Sequence, residues 1–454
     1  MDISKIKNVY FLGIGGIGMS AVAKYFLIKG VSVSGYDRTK TPMTDELTGM
    51  GISVHYDENI NKIPEKIDLV VYTPAIKTTH GEYVYLSGKG IPVLKRSEIL
   101  GIIASQYKVI AVAGTHGKTT TTSMIAHILS FAGTHLIAFI GGIDRNFNSN
   151  FVCQENAEYM VVEADEYDRS FLTLFPDIAV ITSMDADHLD IYNKKESLTD
   201  SFMKFCEQLK PEGTLVIRKN LPYPVTLFSR VHTYSAHSQA ENAAVNMMID
   251  GESTVFDLVC GKKEINHIRL GIPGIHNIEN AIAAIVVALK TGIEPDVIKR
   301  ALASYKGVGR RFDYRINTPG MVYIDDYAHH PKELDAFIEA VKTLYPGRKI
   351  TGVFQPHLYS RTLDFADDFA ISLSRLDELI LLDIYPAREL PIEGVTSELL
   401  LGKVKTIDKK LMSKETLMKY IDNHDFEVLL TIGAGDIDQL VTPVETCLLK
   451  KMKL

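Results

Sequence analysis

Cysteine is scarce in this chain: Cys153, Cys206, Cys260 and Cys447 stand far apart in 454 residues. They form no CxxC pair, no metal-ligand spacing and no disulfide framework, so reduced thiols in a cytosolic protein are expected. Long hydrophobic runs are missing as well. The longest clean one, AIAAIVVAL at 281–289, falls far short of a membrane span. The N-terminal stretch MDISKIKNVYFLG has no apolar signal core and no small-residue cleavage site. A soluble, cytoplasmic protein without membrane insertion is the expectation. Neither sign of charge dominates: 49 Lys plus Arg oppose 56 Asp plus Glu, a net charge of −7. That balance makes no bulk electrostatic case for nucleic acid. Internal repeats and low-complexity tracts are absent.

What is present is ordinary globular usage, with 46% apolar and 23% charged residues. At roughly 150 residues per domain the length suggests three domains. Short apolar runs alternate with amphipathic stretches almost throughout, which reads as βαβ units and parallel sheets. Strands are expected at 8–13, 31–37, 69–75, 91–96 and 108–114, and helices over 19–29, from 119 to Gly133 and over 277–291. The polar segment 230–270 reads as a small antiparallel excursion, and YKGVGRRF at 305–312 as a hinge. Breaks near 105 and 308 divide the chain into domains 1–105, 106–307 and 308–454. The predicted class is α/β: a Rossmann-like N-terminal domain, a central phosphate-loop domain with a mostly parallel sheet, and a Rossmann-like C-terminal domain.

Two phosphate loops stand out. GIGGIG at 13–18 follows a strand, opens a helix and is trailed by Asp37. Gly13 permits the turn, Gly15 lets a diphosphate approach the backbone and Gly18 allows close helix–strand packing. The helix N-terminus favours an anion, although the pattern does not say which nucleotide. GTHGKTTTT at 114–122 lies at another strand-to-helix junction. It is shorter than the usual GxxxxGK[ST], but the mechanics hold. Gly114 and Gly117 expose amides, Lys118 neutralises phosphate charge, and the Thr119 hydroxyl can reach Mg²⁺. Two unlike loops mean two phosphate-bearing ligands.

Carboxylates gather at later strand ends: Glu163 and Asp165, then Asp185 and Asp187 with His188. Beside a phosphate loop, such carboxylates suit a divalent ion. Asn277 and Asn280 share a helix face and could read an adenine edge, or Asn277 could simply cap the helix. Arg310 and Arg311 in the hinge could reach a transferring phosphoryl group on domain closure, or remain a solvated pair. DDYAHHP at 325–331 and QPHLYSRT at 355–362 both follow strands. Arginine beside histidines and a tyrosine suits a small substrate carrying a carboxylate and an amine.

Taken in order, GTHGKTTTT, EADEYD, DADHLD, HNIENAIAA, GVGRRF and DDYAHHP resemble the ATP-dependent Mur ligases of bacterial peptidoglycan synthesis. GIGGIGMS and FQPHLYSRT are similar to the alanine-adding branch of that family. The resemblance implies a ligase that phosphorylates the lactyl carboxylate of UDP-N-acetylmuramate with ATP and lets the amine of L-alanine attack the acyl phosphate. It implies that Gly13, Gly15, Gly16, Ile17, Gly18 and Asp37 hold the UDP moiety rather than NAD. Gly114, Thr115, His116, Gly117, Lys118, Thr119 and Thr120 would wrap ATP, with Asn277 and Asn280 at adenine, Asp326 at the ribose side and Arg311 nearby. Thr119 and Glu163 would bind one Mg²⁺ and His188 a second. Tyr327, His329, His357 and Arg361 would form the alanine pocket. Lys118, His188, Arg310 and His329 would be catalytic, His329 as general base. One departure from the wider family is informative. Several relatives carry a carbamylated lysine fourteen positions after the histidine of the DH motif, where this chain has Phe202. A monomer or homodimer is expected.

Three rival readings compete. A ligase that recycles a murein tripeptide onto the same acceptor shares the phosphate loop but not FQPHLYSRT. An NAD-dependent oxidoreductase would explain GIGGIG and Asp37 and leave GTHGKTTTT without a use. A nucleotide-switch binding module would have no use for the cluster after 325.

Overall fold

The computed structural model describes residues 1–185, 195–223, 230–387, 389–406 and 408–452. His188 and Asp187 lie outside them. Three sheets organise the described chain, of five, ten and six strands. The chain falls into two compact units: 1–247 with 256–270 and 277–306, and 248–255 with 271–276 and 307–454.

The five-stranded sheet is parallel throughout, in the order Ser53–His55, Ser32–Tyr36, Asn8–Leu12, Leu69–Tyr72, Val93–Lys95. Strand order reverses at Asn8–Leu12, and the GIGGIG loop leaves that strand for the helix Ile17–Ile28. A ligand crevice belongs at such a switch point. Helix Ile17–Ile28 buries almost every side chain from Met19 to Phe26. Tyr25 packs against Phe139 and Phe151 at ring-centroid separations of 6.2 and 6.3 Å. Lys24, itself buried, donates to Asn150 Oδ1 at 2.8 Å and to Glu46 at 2.6 Å. The first and second sheets therefore share one core, and each large apolar side chain buried in it contributes roughly 1.5–3 kcal/mol.

In the ten-stranded sheet, Lys108–Ala113 lies between Ile178–Ile181 and Tyr159–Ala164, in parallel register with both. The two acidic-ended strands thus flank the strand that launches the phosphate loop. Leu136–Asp144 pairs antiparallel with Ser149–Cys153 in this half. The expected antiparallel excursion begins differently: Val231–Ser235 pairs parallel with Thr214–Arg218 and with Asn242–Asp250. Beyond it the expectation holds: Asn242–Asp250, Ser253–Cys260 and Lys263–Leu270 are neighbouring strands joined by two-residue connections, which only antiparallel pairs allow. Likewise the expected strand over 91–96 is only Val93–Lys95, because Arg96 already opens the helix Arg96–Ala104, with Glu98 accepting from the Lys95 N–H.

The six-stranded sheet runs Asp313–Asn317, Val322–Asp326, Val428–Ile432, Ile350–Phe354, Glu378–Leu381, Asp408–Leu411. Only its first pair is antiparallel. Val322–Asp326 and Ile350–Phe354 both pair with Val428–Ile432, so the loops DDYAHHP and QPHLYSRT leave the same sheet edge one strand apart. Among the described residues no helix is long and apolar enough to cross a membrane.

Candidate active site

The phosphate loop is stitched to the neighbouring strand end. Ser183 Oγ accepts from the His116 N–H at 2.7 Å and lies 2.9 Å from Thr115 Oγ1, and Thr182 Oγ1 donates to His116 O at 2.5 Å. Thr115 Oγ1 in turn accepts from the Asp185 N–H at 3.0 Å. Gly114 has φ +140°, and a Cβ there would stand 2.0 Å from Thr182 Oγ1. Gly117, at φ +81°, would push a Cβ to 2.5 Å from Asn280 Oδ1. Both positions therefore require glycine. Helix Lys118–Phe131 begins at Gly117, with its N-terminal amides and dipole facing the loop. Thr120, inside the first turn, is buried.

Lys118 Nζ donates to Gly114 O at 2.6 Å and to both oxygens of Glu166, at 2.8 and 3.0 Å. Burial disfavours the ammonium, but Glu166, Glu163 and Asp165 outweigh it and hold its pKa above the ordinary lysine value. Thr119 Oγ1 donates to Glu163 Oε2 at 2.7 Å, and the Gly141 N–H reaches the same oxygen at 3.1 Å. A hydroxyl and a carboxylate in contact are hard oxygen donors, which suits Mg²⁺ with phosphates and waters as its other ligands. No group of three or more His, Cys, Asp or Glu side chains poised for a metal occurs among the described residues. Asn277 and Asn280 are buried on one helix face, Asn280 accepting from Thr121 Oγ1 at 3.2 Å. Phe202 is fully buried against Phe171 at 5.3 Å, in the helix Lys195–Glu207.

In the GIGGIG loop, the Gly15 N–H donates to Asp37 Oδ2 at 2.8 Å, while Asp37 Oδ1 accepts from the Thr39 N–H at 3.1 Å. Asp37 thus fastens the loop. Gly13 is in the left-handed region and the helix starts at Ile17, with Gly16 as its N-cap. Gly18 faces the Arg96 side chain.

In the second unit, the loops converge. The guanidinium carbons of Arg310 and Arg311 sit 5.2 and 4.9 Å from the Tyr327 ring centroid. Arg310 Nε donates to Asp325 Oδ2 at 3.0 Å and its Nη2 to Gly433 O at 2.6 Å. Tyr327 packs edge-on against His329, whose ring lies 6.0 Å from that of His357. Arg361, buried, lies 3.4 Å from His357 Nδ1, and His357 stacks on Tyr385. A guanidinium only donates, so that His357 nitrogen accepts. Asp326 is buried and accepts from the Phe312 and Ala328 N–H groups at 2.7 and 2.8 Å. Burial pushes its pKa up to about 7 against the pull of Arg311 and those two amides. Positive φ at Arg310, Phe312 and Leu358 marks the backbone around this cluster, a strain that functional loops commonly hold.

Sequence reasoning missed Ser183, Thr182, Glu166, Glu333 and Tyr385. Glu333 accepts from the His329 N–H at 3.0 Å and lies 3.8 Å from Arg311. Nothing local marked these residues: each acts through a partner distant in sequence or through a helix turn.

Known proteins place the chain. Three family models match in order: the Mur ligase family catalytic domain over 8–108, the Mur ligase middle domain over 112–288, and the Mur ligase glutamate ligase domain over 310–435. The UDP-N-acetylmuramate–L-alanine ligase of Flavobacterium johnsoniae is 47% identical over 452 residues, 99% of each chain. The crystal structure of the UDP-N-acetylmuramate–alanine ligase from Thermotoga maritima superposes with a TM-score of 0.83 at 26% identity, over 99% of both chains. A murein peptide ligase from Psychrobacter arcticus shares the fold, with a TM-score of 0.71 at 22% identity over 97% of this chain and 98% of its own. The chain belongs to the Mur ligase family.

Proposed function

We propose that this chain is an ATP-dependent ligase that joins L-alanine to the lactyl carboxylate of UDP-N-acetylmuramate, forming the first peptide bond of a peptidoglycan precursor. The 47% identity over 99% of the chain to a protein of that name carries the reading. The intact GTHGKTTTT loop and the Arg361–His357–Tyr327 cluster support it.

A free carboxylate is a poor acyl donor, because oxide is a poor leaving group. Transfer of the ATP γ-phosphoryl group to a carboxylate oxygen yields ADP and an acyl phosphate. The alanine amine adds to the carbonyl carbon, inorganic phosphate departs with the C–O electron pair, and the amine proton goes to a base. The result is an amide, ADP and phosphate. Lys118 and the loop amides hold the phosphates and neutralise charge as it shifts. Asn277 and Asn280 face adenine. Asp326 offers the lone pairs left over from its two backbone bonds to the ribose side, with Arg311 adjacent. Thr119 and Glu163 would hold Mg²⁺, and His188, outside the described residues, would serve a second ion; when bound, the metal would further neutralise phosphate charge. Gly13–Gly18 and Asp37 form the UDP site. Arg361 pairs the alanine carboxylate beside His357 and Tyr327, and His329 takes the ammonium proton, because a protonated amine is no nucleophile. Arg310 stabilises the charge of the departing phosphate.

The acyl phosphate makes a direct demand. With ¹⁸O in the lactyl carboxylate, one label must leave in the inorganic phosphate. Label retained entirely in the amide product and unreacted sugar nucleotide, despite turnover, would refute the mechanism.

A further inference from the structure

Glu166 has no part in the chemistry just described, yet it is the most completely buried carboxylate at the phosphate loop, with no exposed side-chain surface. Both of its oxygens meet the Lys118 ammonium, at 2.8 and 3.0 Å, and Gly114 O takes a further Lys118 proton at 2.6 Å. An ammonium has three protons. With Thr115 O also in reach at 3.4 Å, the ammonium protons are met by protein oxygens on the loop and on Glu166, and a nucleotide phosphate gains Lys118 only by displacing one of these acceptors. Gly114 O and Thr115 O belong to the loop itself. Glu166 is the anionic competitor.

The placement of Glu166 is built rather than incidental. The segment that carries it bends through two consecutive left-handed residues, Asp168 and Arg169, both at φ 53°. The Arg169 N–H donates to Glu166 O at 3.0 Å and the Phe171 N–H to Asp165 O at 2.9 Å. Lys95 Nζ holds Asp168 at 2.8 Å, and Arg96 Nη2 lies 3.4 Å from Asp165. Left-handed non-glycine residues cost energy and persist only where surroundings over-determine them. Here they fix a carboxylate against the one lysine of the phosphate loop. A buried cation without a counter-charge is costly, so Glu166 also keeps Lys118 charged and in place when no phosphate is bound.

We propose that Glu166 is a positioning residue that occupies Lys118 in place of phosphate and competes with the nucleotide for it, so that its charge weakens ATP and ADP binding and lets the product nucleotide leave. This rests on the reading of Gly114–Thr120 as the ATP site. By the sign of the interaction, removing the carboxylate charge releases the full ammonium to the phosphates, and binding tightens. A charge-assisted bond exchanged for a neutral one corresponds to roughly a five- to tenfold change in affinity.

The test is titration calorimetry of Mg²⁺–ATP and Mg²⁺–ADP into the full chain without the sugar nucleotide, so that no turnover occurs. Glu166→Gln is expected to lower both dissociation constants several-fold and leave that for UDP-N-acetylmuramate unchanged. Because Glu166 acts through Lys118, the same change made in a Lys118→Met background should have no effect on ATP affinity. Glu166→Asp keeps the charge but withdraws it by one carbon; it should tighten ATP by less, and it serves if the glutamine variant does not fold. Weaker or unchanged ATP binding in a folded Glu166 variant overturns the proposal, since a merely structural carboxylate would not oppose the nucleotide. If Lys118→Met alone leaves ATP affinity intact, it is the reading of the loop that fails instead.

Discussion

In the proposed alanine pocket, Arg361 is the residue that would hold the amino-acid carboxylate. It is buried, it lies within 3.4 Å of His357 Nδ1, and it opens from a short helix, Tyr359–Asp364, whose N-cap Leu358 has φ 71°. A guanidinium so placed can take a carboxylate with two parallel bonds, which a lysine could not reproduce. Arg361→Ala is therefore expected to raise the KM for L-alanine by roughly ten- to a hundredfold. Steady-state kinetics with the other two substrates saturating checks this, and their own KM values should hold. An alanine KM that does not move would take Arg361 out of the pocket.

At the scale of elements, strands and loops differ in what their sequences disclose. KVIAVAG and ELILLDIYP are continuous apolar runs, and they form the buried parallel strands Lys108–Ala113 and Glu378–Leu381. The phosphate-loop helix was legible from glycines, lysine and threonines in a row. The hairpin Leu136–Asp144 and Ser149–Cys153 was not, because Gly141 and Gly142 interrupt its pattern and its stabilising partner is a helix more than a hundred residues earlier. Glu166 and Ser183 went unread for the same reason: their meaning lies in Lys118 and His116, across the sheet. Glu378 is a further case. It is nearly fully buried and receives Lys349 and Lys410 at 2.8 Å each and Tyr420 at 2.6 Å. Burial raises its pKa, but those three donors prevail and bring it down to about 2. A depressed carboxylate stabilises the fold above its unfolded value near 4.5 and loses that contribution as pH falls toward 2. Because both lysines are partly exposed, the contribution is on the order of 2 kcal/mol after screening. Glu378→Gln should thus lower stability at pH 7 and by much less at or below pH 2. Urea unfolding followed by circular dichroism suits a chain without tryptophan. An equal deficit at both pH values would contradict the ion-cluster account.

For the whole molecule, three matched family regions and full-length identity to an alanine-adding ligase agree with the motifs read from the chain. The oxidoreductase reading finds no support in those relatives, and the first glycine loop has its aspartate engaged with the loop's own amide. The recycling ligases share the fold at a lower TM-score, so substrate choice is the point at which the account is most exposed. Phosphate release with ATP, Mg²⁺ and UDP-N-acetylmuramate, comparing L-alanine with the L-Ala-γ-D-Glu-diaminopimelate tripeptide, tests it directly. Release that depends on alanine and is absent with the tripeptide is the predicted result; release with the tripeptide alone would contradict it.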